Sequence, residues 1–378
     1  MPSDFFYCPN PDCPNHSPLS DNNGWYEKHG THPTKAFGNV QRYRCTECGR
    51  TFSDQTFSLN YYLKKQTDFK ALFKQLNSNN SDCFIGRDVG LSVDSVQLRR
   101  ERLARNGMFF QQKVLENIRI NESLAADGFE SYTKSKFYPT NINIMVGSES
   151  LFLYYLTESL QRRKGVMTKR QKKRAESEYA NKSFKDSRLH SKFGVLLEYL
   201  KGRTVGQSIT LFTDEHKTYK RVIDKINSSK PGKAQSGLPR IKHIQISSLL
   251  IRDKNNPLHP VNYHDRQIRK DIANHRRKTI CHARNDRCML TRMIMYMVSH
   301  NFFKPFEITS RRNQTAARHY DALGIDQRKL AYWKSVLFTK RFIQSRVKLP
   351  EYFKDIWFKR TATPLKEGRD YVPGFAFQ

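Results

Sequence analysis

Acidic residues are scarce in this sequence. Its 378 residues carry 67 Lys plus Arg against 35 Asp plus Glu, a net charge of +32. Such an excess repels itself in a compact fold unless a polyanion shares the surface, and nucleic acid is the first polyanion to consider. Long apolar runs are missing too. None approaches the ~18 residues that a membrane span needs, which argues against a membrane partner. The opening stretch, Met1-Pro-Ser-Asp-Phe-Phe-Tyr-Cys8, lacks the basic and then apolar regions of a secretory signal, so a cytosolic or nuclear setting is expected. Cysteine is sparse and odd in number, seven in all. A reducing compartment disfavours disulfides, so the four cysteines clustered near the start need another explanation. The length suits two or three domains around one sizeable core.

Those four cysteines stand in two knuckles, Cys8-Pro-Asn-Pro-Asp-Cys13 and Cys45-Thr-Glu-Cys48-Gly49. Each knuckle offers two thiolates, so Cys8, Cys13, Cys45 and Cys48 can surround one structural zinc ion, with Gly49 allowing the tight turn. The first knuckle is wider than the usual two-residue gap, which leaves His16, His29 or His32 open as a substitute ligand. Residues 1–55 hold few apolar side chains, so metal is expected to supply much of the folding free energy of a zinc ribbon over 1–57. Arg42-Tyr-Arg44 gives that ribbon a basic edge for DNA.

From Asn60 the periodicity turns helical, with Tyr62, Leu63, Phe69, Leu72, Phe73 and Leu76 at three- and four-residue steps. The stretch from Ser81 to Leu103 then has helix-turn-helix spacing. Ile85 and Val89 face inward, Gly86 permits a close crossing, Gly90 makes the turn, and Ser92 caps a second helix with Asp94 in its first turn. In a DNA-binding domain over 58–121 that helix enters the major groove, with Arg99, Arg100 and Arg102 on phosphates and Gln97 on a base edge. A helical hairpin that touches no DNA is the plainer alternative.

Strand-like runs follow. Leu124-Ala-Ala-Asp127, Asn141–Val146 and Leu151–Leu156 read as neighbouring strands, Ser187–Lys201 as a helix, and Ser208-Ile-Thr-Leu-Phe-Thr-Asp214 as a further strand ending on a carboxylate. Strands, helix and strand again describe a mixed α/β sheet. A strand's exit is where such sheets place chemistry, although a lone Asp there more often caps the next helix. A segment too charged to bury, spanning 161–186, interrupts the pattern. Its Arg162, Arg163, Lys169, Arg170, Lys172, Lys173 and Arg174 suit either a solvated face or contacts with a DNA backbone. A third acid, Asp265, lies near a helix start with Arg269 four residues on, and Arg269 is assigned to the DNA as well. Asp271 competes for the third role. Three carboxylates meeting in one crevice suit two magnesium or manganese ions that clamp an in-line phosphoryl displacement.

Several of these motifs carry a family likeness. The cysteine knuckles, the helix-turn-helix, Ala126-Asp-Gly128, Thr213-Asp-Glu-His-Lys-Thr-Tyr219 and His264-Asp-Arg-Gln-Ile-Arg-Lys270 resemble an insertion-sequence-one-type transposase. Arg277-Lys-Thr-Ile-Cys-His-Ala-Arg284 and His300-Asn-Phe-Phe-Lys-Pro305 are similar to the segment that follows the family's third acid. The likeness runs from about Cys8 to Ile308. It implies a bacterial, cytoplasmic, nucleoid-associated enzyme with an RNase H-like catalytic domain over 122–308. Such an enzyme binds double-stranded transposon ends, cuts them and joins the 3′-hydroxyl to target DNA, with Asp127, Asp214 and Asp265 as catalytic residues. Many members carry Glu as the third acid, where this chain has Asp265.

Residues 309–378 match nothing in that family. Leu330, Trp333, Leu337 and Phe338 recur at helical spacing, and Tyr352, Phe353, Ile356, Trp357 and Phe358 follow. A mainly helical extension that docks on a second protomer is expected, since transposition holds two ends together. Two rival classes remain: a DNA-binding regulator whose acids no longer cut, and a metal-dependent nuclease without strand transfer.

Overall fold

Polar turns break the N-terminal stretch into three short strands, β1 (Tyr26–Thr34), β2 (Gly38–Cys45) and β3 (Thr51–Ser53), paired antiparallel in that order. In this computed structural model the described residues are 6–10, 12–16, 24–180, 189–228, 239–276, 279–306, 318–345 and 347–359. The chain divides into two units, Met1–Glu116 with Asp326–Gln378, and Asn117–Ile325.

In the first unit the little apolar material around this sheet gathers on the cysteines. Trp25, Phe52 and Phe57 are buried with Cys8, Cys13 and Cys45, and Phe6 and Tyr43 pack against them. Trp25 stacks on Phe52 with ring centroids 5.4 Å apart. This aromatic cluster is more core than the composition led one to expect.

Three helices follow: α1 (Phe69–Leu76), α2 (Asp82–Asp88) and α3 (Val93–Val114). Asp68 caps α1 through the amides of Lys70 and Ala71, Ser81 caps α2, and Ser92 caps α3 through the Ser95 amide at 3.2 Å. Gly90 turns the chain between α2 and α3 at φ +64°, a region that L side chains rarely adopt. At Gly86 a Cβ would stand 2.7 Å from the Leu91 carbonyl oxygen, so α2 meets the turn too closely for any side chain. Ile85 and Val96 are buried as expected, whereas Val89 is on the surface.

The arginines assigned to phosphates on α3 lie elsewhere, and this corrects the sequence reading. Arg100 is fully buried and ion-paired with Asp82. Arg99 is also buried, and its guanidinium donates to Thr67 Oγ1 at 2.6 Å and to the carbonyls of Ser95 and Lys65. Arg102 donates to the carbonyls of Leu59 at 2.9 Å and Tyr61 at 2.5 Å. All three fasten the loop and helices around them; Gln97 and Arg102 stay half-exposed. Cutting a buried pair strands the other charge, so Arg100→Met should destabilise the protein by about 3 kcal/mol, read from chemical denaturation.

The second unit begins with a meander, β4 (Leu124–Tyr132), β5 (Pro139–Gly147) and β6 (Leu153–Leu160). Helix α4 (Lys169–Tyr179), helix α5 (Leu189–Lys201), strand β7 (Ser208–Asp214), helix α6 (Lys217–Ser228), strand β8 (Arg240–Ile246), helix α7 (His259–Asp271) and helix α8 (Asp286–Phe302) complete it. The five strands form one open sheet in the order β6-β5-β4-β7-β8, with β4, β5 and β6 antiparallel and β7 and β8 parallel to β4. Tyr155 of β6 stacks on Tyr199 of α5 at 4.1 Å, on one face of the sheet. On the other face Thr140 of β5 meets Met289 of α8, and Phe129 of β4 lies under Arg269 of α7. The result is a three-layer mixed α/β unit. At Gly128 a Cβ would fall 2.1 Å from Asn141 Nδ2, so any side chain beside Asp127 would have to displace the Asn141 amide. No described helix is long and apolar enough to cross a membrane.

The chain then returns to the first unit through α9 (Gln327–Val336) and α10 (Glu351–Lys359). Asn106 of α3 donates to the carbonyls of Leu337 at 2.7 Å and Lys340 at 3.1 Å, and accepts from the Phe342 amide at 2.6 Å. The Leu59 amide donates to the Thr339 carbonyl, and Phe338 packs on Phe73. Leu330, Leu337, Phe338, Tyr352, Phe353 and Ile356, expected at a protomer interface, are buried within their own chain. The side chains of Trp357 and Phe358 lie outside the described residues.

Candidate functional site

Strand pairing sets two of the three acids side by side. β4 pairs with β7 at Leu124↔Leu211 and Ala125↔Phe212, and the same offset carried two residues further puts Asp127 level with Asp214. Level residues on adjacent parallel strands point to the same face. The pairing stops at Ala125 and Phe212, so a crevice opens where the acids stand. One neighbour of β4 runs antiparallel and the other parallel, which places the crevice at a switch in the sheet.

Helix α7 brings the third acid. Arg269 lies 4.6 Å over the Phe129 ring, and its guanidinium donates to the carbonyls of His275 and Glu130. Further along, Ser131 Oγ meets His275 Nδ1 at 2.8 Å, so helix and strand advance in the same direction. Two residues back along a strand is about 6.6 Å, and four back along a helix is about 6 Å. The step from Phe129 to Asp127 therefore matches the step from Arg269 to Asp265. His264, next to Asp265, is buried and held neutral, its pKa pushed down to about 3 chiefly by burial. Its Nδ1 accepts from the Tyr296 hydroxyl at 2.8 Å and its Nε2 donates to the Leu151 carbonyl at 3.0 Å, pinning α7 from within. Arg269, assigned to DNA from the sequence, instead registers α7 on β4. Asp271 is engaged in an ion pair with Lys304.

Electrostatics links the acids. Burial is the main force lifting Asp127 to about 7; the charges of Asp214 and Asp265 add to it, and the Gly128 amide at 2.6 Å and Arg252 oppose it. Asp214 Oδ1 accepts from the His216 amide at 2.9 Å. Tyr219, in the first turn of α6, lies close to Asp127 and Asp214, and burial together with their charges holds its hydroxyl well above the usual range. Sequence reasoning missed Tyr219. Its signal was weak, since a tyrosine one turn into an amphipathic helix usually reads as core. Among the described residues, only the four cysteines bring three or more ligand atoms within 4.8 Å of one another. The aspartates thus sense one another's charge from a wider spacing.

A raised carboxyl pKa has a defined sign. Unfolded Asp ionises near ~3.9, while Asp127 in the folded chain holds its proton until about pH 7. The folded state therefore binds more protons between these values, and its stability falls as pH rises through that window. With divalent ions chelated, Asp127→Asn should leave the melting temperature unchanged near pH 4 and raise it progressively toward pH 8. Parallel thermal melts across that range check it.

No family model matches this sequence, and no curated protein matches it either.

The cysteine cluster is the most complete site. Cys8 and Cys48 sulfurs lie 3.5 Å apart, and those of Cys13 and Cys45 lie 3.7 Å apart. A tetrahedron with metal–sulfur bonds near 2.3 Å has edges of about 3.8 Å, so the four thiols are spaced to hold a structural metal ion of zinc's kind. His16 does not replace a cysteine; its Nδ1 bonds the Cys8 carbonyl at 2.7 Å. Burial pushes the Cys8 and Cys13 thiols up. Burial also acts on Cys45, but the Cys48 amide, the Asn15 side chain and the Glu47 amide outweigh it and bring that thiol down to about 7.

On the basic segment, Ala175 of α4 is buried with Phe137 and Tyr138, while Arg162, Lys169, Arg170, Lys172, Lys173 and Arg174 are exposed. Arg162 stands over Tyr179 at 5.7 Å, and Arg163 and Arg174 over Phe137 at 5.4 and 5.3 Å. A cavity of about 440 Å³ opens between them. Aromatic faces thus pack against these guanidinium groups, and Arg174 also reaches Glu178 at 3.7 Å.

Proposed function

We propose that this chain is a DNA transposase of the insertion-sequence-one type, binding the ends of its element and joining a 3′-hydroxyl to target DNA. The observation that carries the reading is the β4–β7 register that brings Asp127 and Asp214 to one crevice, where the charges of Asp214 and Asp265 both act on Asp127. The sheet order, three antiparallel strands followed by two parallel ones, supports an RNase H-like core. The capped α2–turn–α3 hairpin supports a helix-turn-helix, and Cys8, Cys13, Cys45 and Cys48 support a zinc ribbon.

In this reading Asp127, Asp214 and Asp265 would hold two magnesium or manganese ions, which supply charge neutralisation for in-line displacement at a phosphate. Oxygen donors with room between them fit such hard ions. The chain's own residues do the rest. The Gly128 amide fixes the Asp127 carboxyl, and the His216 amide fixes Asp214. His264 and Arg269 keep α7, and with it Asp265, on the β4 face. Arg163, Lys169, Arg170, Lys172, Lys173 and Arg174 offer charge for double-stranded DNA backbone.

The test uses the full chain, magnesium and pre-cleaved DNA bearing the ends of the element that encodes it. Joined product supports the transposase. Hydrolysis without joining would make it a nuclease, and binding without either reaction a regulator.

A further inference from the structure

The arginines that failed to face DNA hold a loop that does something unusual. Arg102 fixes the Leu59 and Tyr61 carbonyls, Arg99 fixes Thr67, and Asn60 pairs with Thr67 through both its side-chain oxygen and nitrogen. Fastened in this way, the loop carries Tyr62 at φ +58° with the residue 63% exposed. A bulky side chain in the left-handed region is an outlier, and such outliers persist where the surroundings impose them. Here they impose an aromatic ring on solvent.

Tyr62 forms one wall of a groove of about 730 Å³, whose opposite wall is the β1–β2 hairpin with Phe37. Lys35, Arg42 and Lys64 line it, and no carboxylate does. An occupant must therefore present a flat apolar face and an anionic backbone. Those are the properties of an unstacked nucleotide. A paired duplex covers its base faces with neighbouring bases and cannot offer them to Tyr62.

We propose that this groove receives an unpaired nucleobase of DNA, stacked on Tyr62, with its phosphates at Lys35, Arg42 and Lys64. This site is independent of the carboxylate crevice and of the chemistry assigned to it.

The experiment titrates the full-length, zinc-loaded protein into a single-stranded oligonucleotide carrying one 2-aminopurine, following fluorescence quenching and anisotropy. The parent should quench. Tyr62→Gly is the decisive variant, because it removes the ring and relieves the positive φ together. A purely structural Tyr62 would make this variant more stable and leave binding alone. The proposal requires a higher melting temperature with binding weakened by roughly tenfold, and Tyr62→Phe binding as the parent does. Lys64→Gln should lower the salt dependence of binding. Undiminished binding by Tyr62→Gly overturns the proposal. So does a parent that binds without quenching, which would leave the groove to a polypeptide.

Discussion

Asp214→Ala is expected to abolish strand joining while end binding persists, with product formation falling on the order of a thousandfold or more. Metal-assisted charge stabilisation is worth several kcal/mol in phosphoryl transfer, and each ~1.4 kcal/mol is a factor of ten. Asp214 sits at the end of β7, level with Asp127 across a parallel pair, and its charge is one of the forces that lift Asp127. Its removal should therefore also lower the Asp127 pKa. Asp265→Ala should behave alike. Asp271→Ala should keep joining, because that carboxylate is tied to Lys304. Single-turnover joining assays beside filter binding separate these outcomes, and a fully active Asp214→Ala would sink the catalytic assignment.

Cys45→Ser carries the second large effect. Structural zinc sites of this kind contribute roughly 10–16 kcal/mol of apparent binding free energy, which a small ribbon cannot replace by packing. Cys45 is buried against Cys13 and Asn15 and shares its cluster with Trp25 and Phe52. The variant should lose its bound metal and expose Trp25, seen as a red-shifted tryptophan emission, and should bind terminal DNA weakly. Cys83→Ser is the matched control, since Cys83 is an exposed residue outside the cluster. Unchanged zinc content in Cys45→Ser would refute the ribbon.

Local chemistry was the part legible in the chain. Paired cysteine knuckles, the Ser92 cap and the apolar stripe of α5 at Phe193, Leu196, Leu197 and Leu200 emerge as read. The arginines of α3 were misjudged because charge was allowed to outrank period. Arg99 and Arg100 lie three and four residues from both Val96 and Leu103, which puts them on the buried stripe rather than opposite it. A guanidinium can occupy such a stripe when a carboxylate such as Asp82 is near, and nothing local announces that partner. Tyr219 and the Arg269–Phe129 contact depend on how α6 and α7 meet β4, a tertiary matter. The fate of the C-terminal residues was the least legible, since Phe342 meets Asn106 across 236 positions.

That last separation orders events during synthesis. The amide and carbonyls that complete α3's surroundings emerge from the ribosome 236 residues after Asn106, a delay on the order of tens of seconds at usual translation speeds. Until then the nascent N-terminal segment has a half-built interior, and the intervening sheet unit can finish folding first. A message cut short before Leu337 would yield a chain whose N-terminal unit never closes, so truncated products are poised for proteolysis.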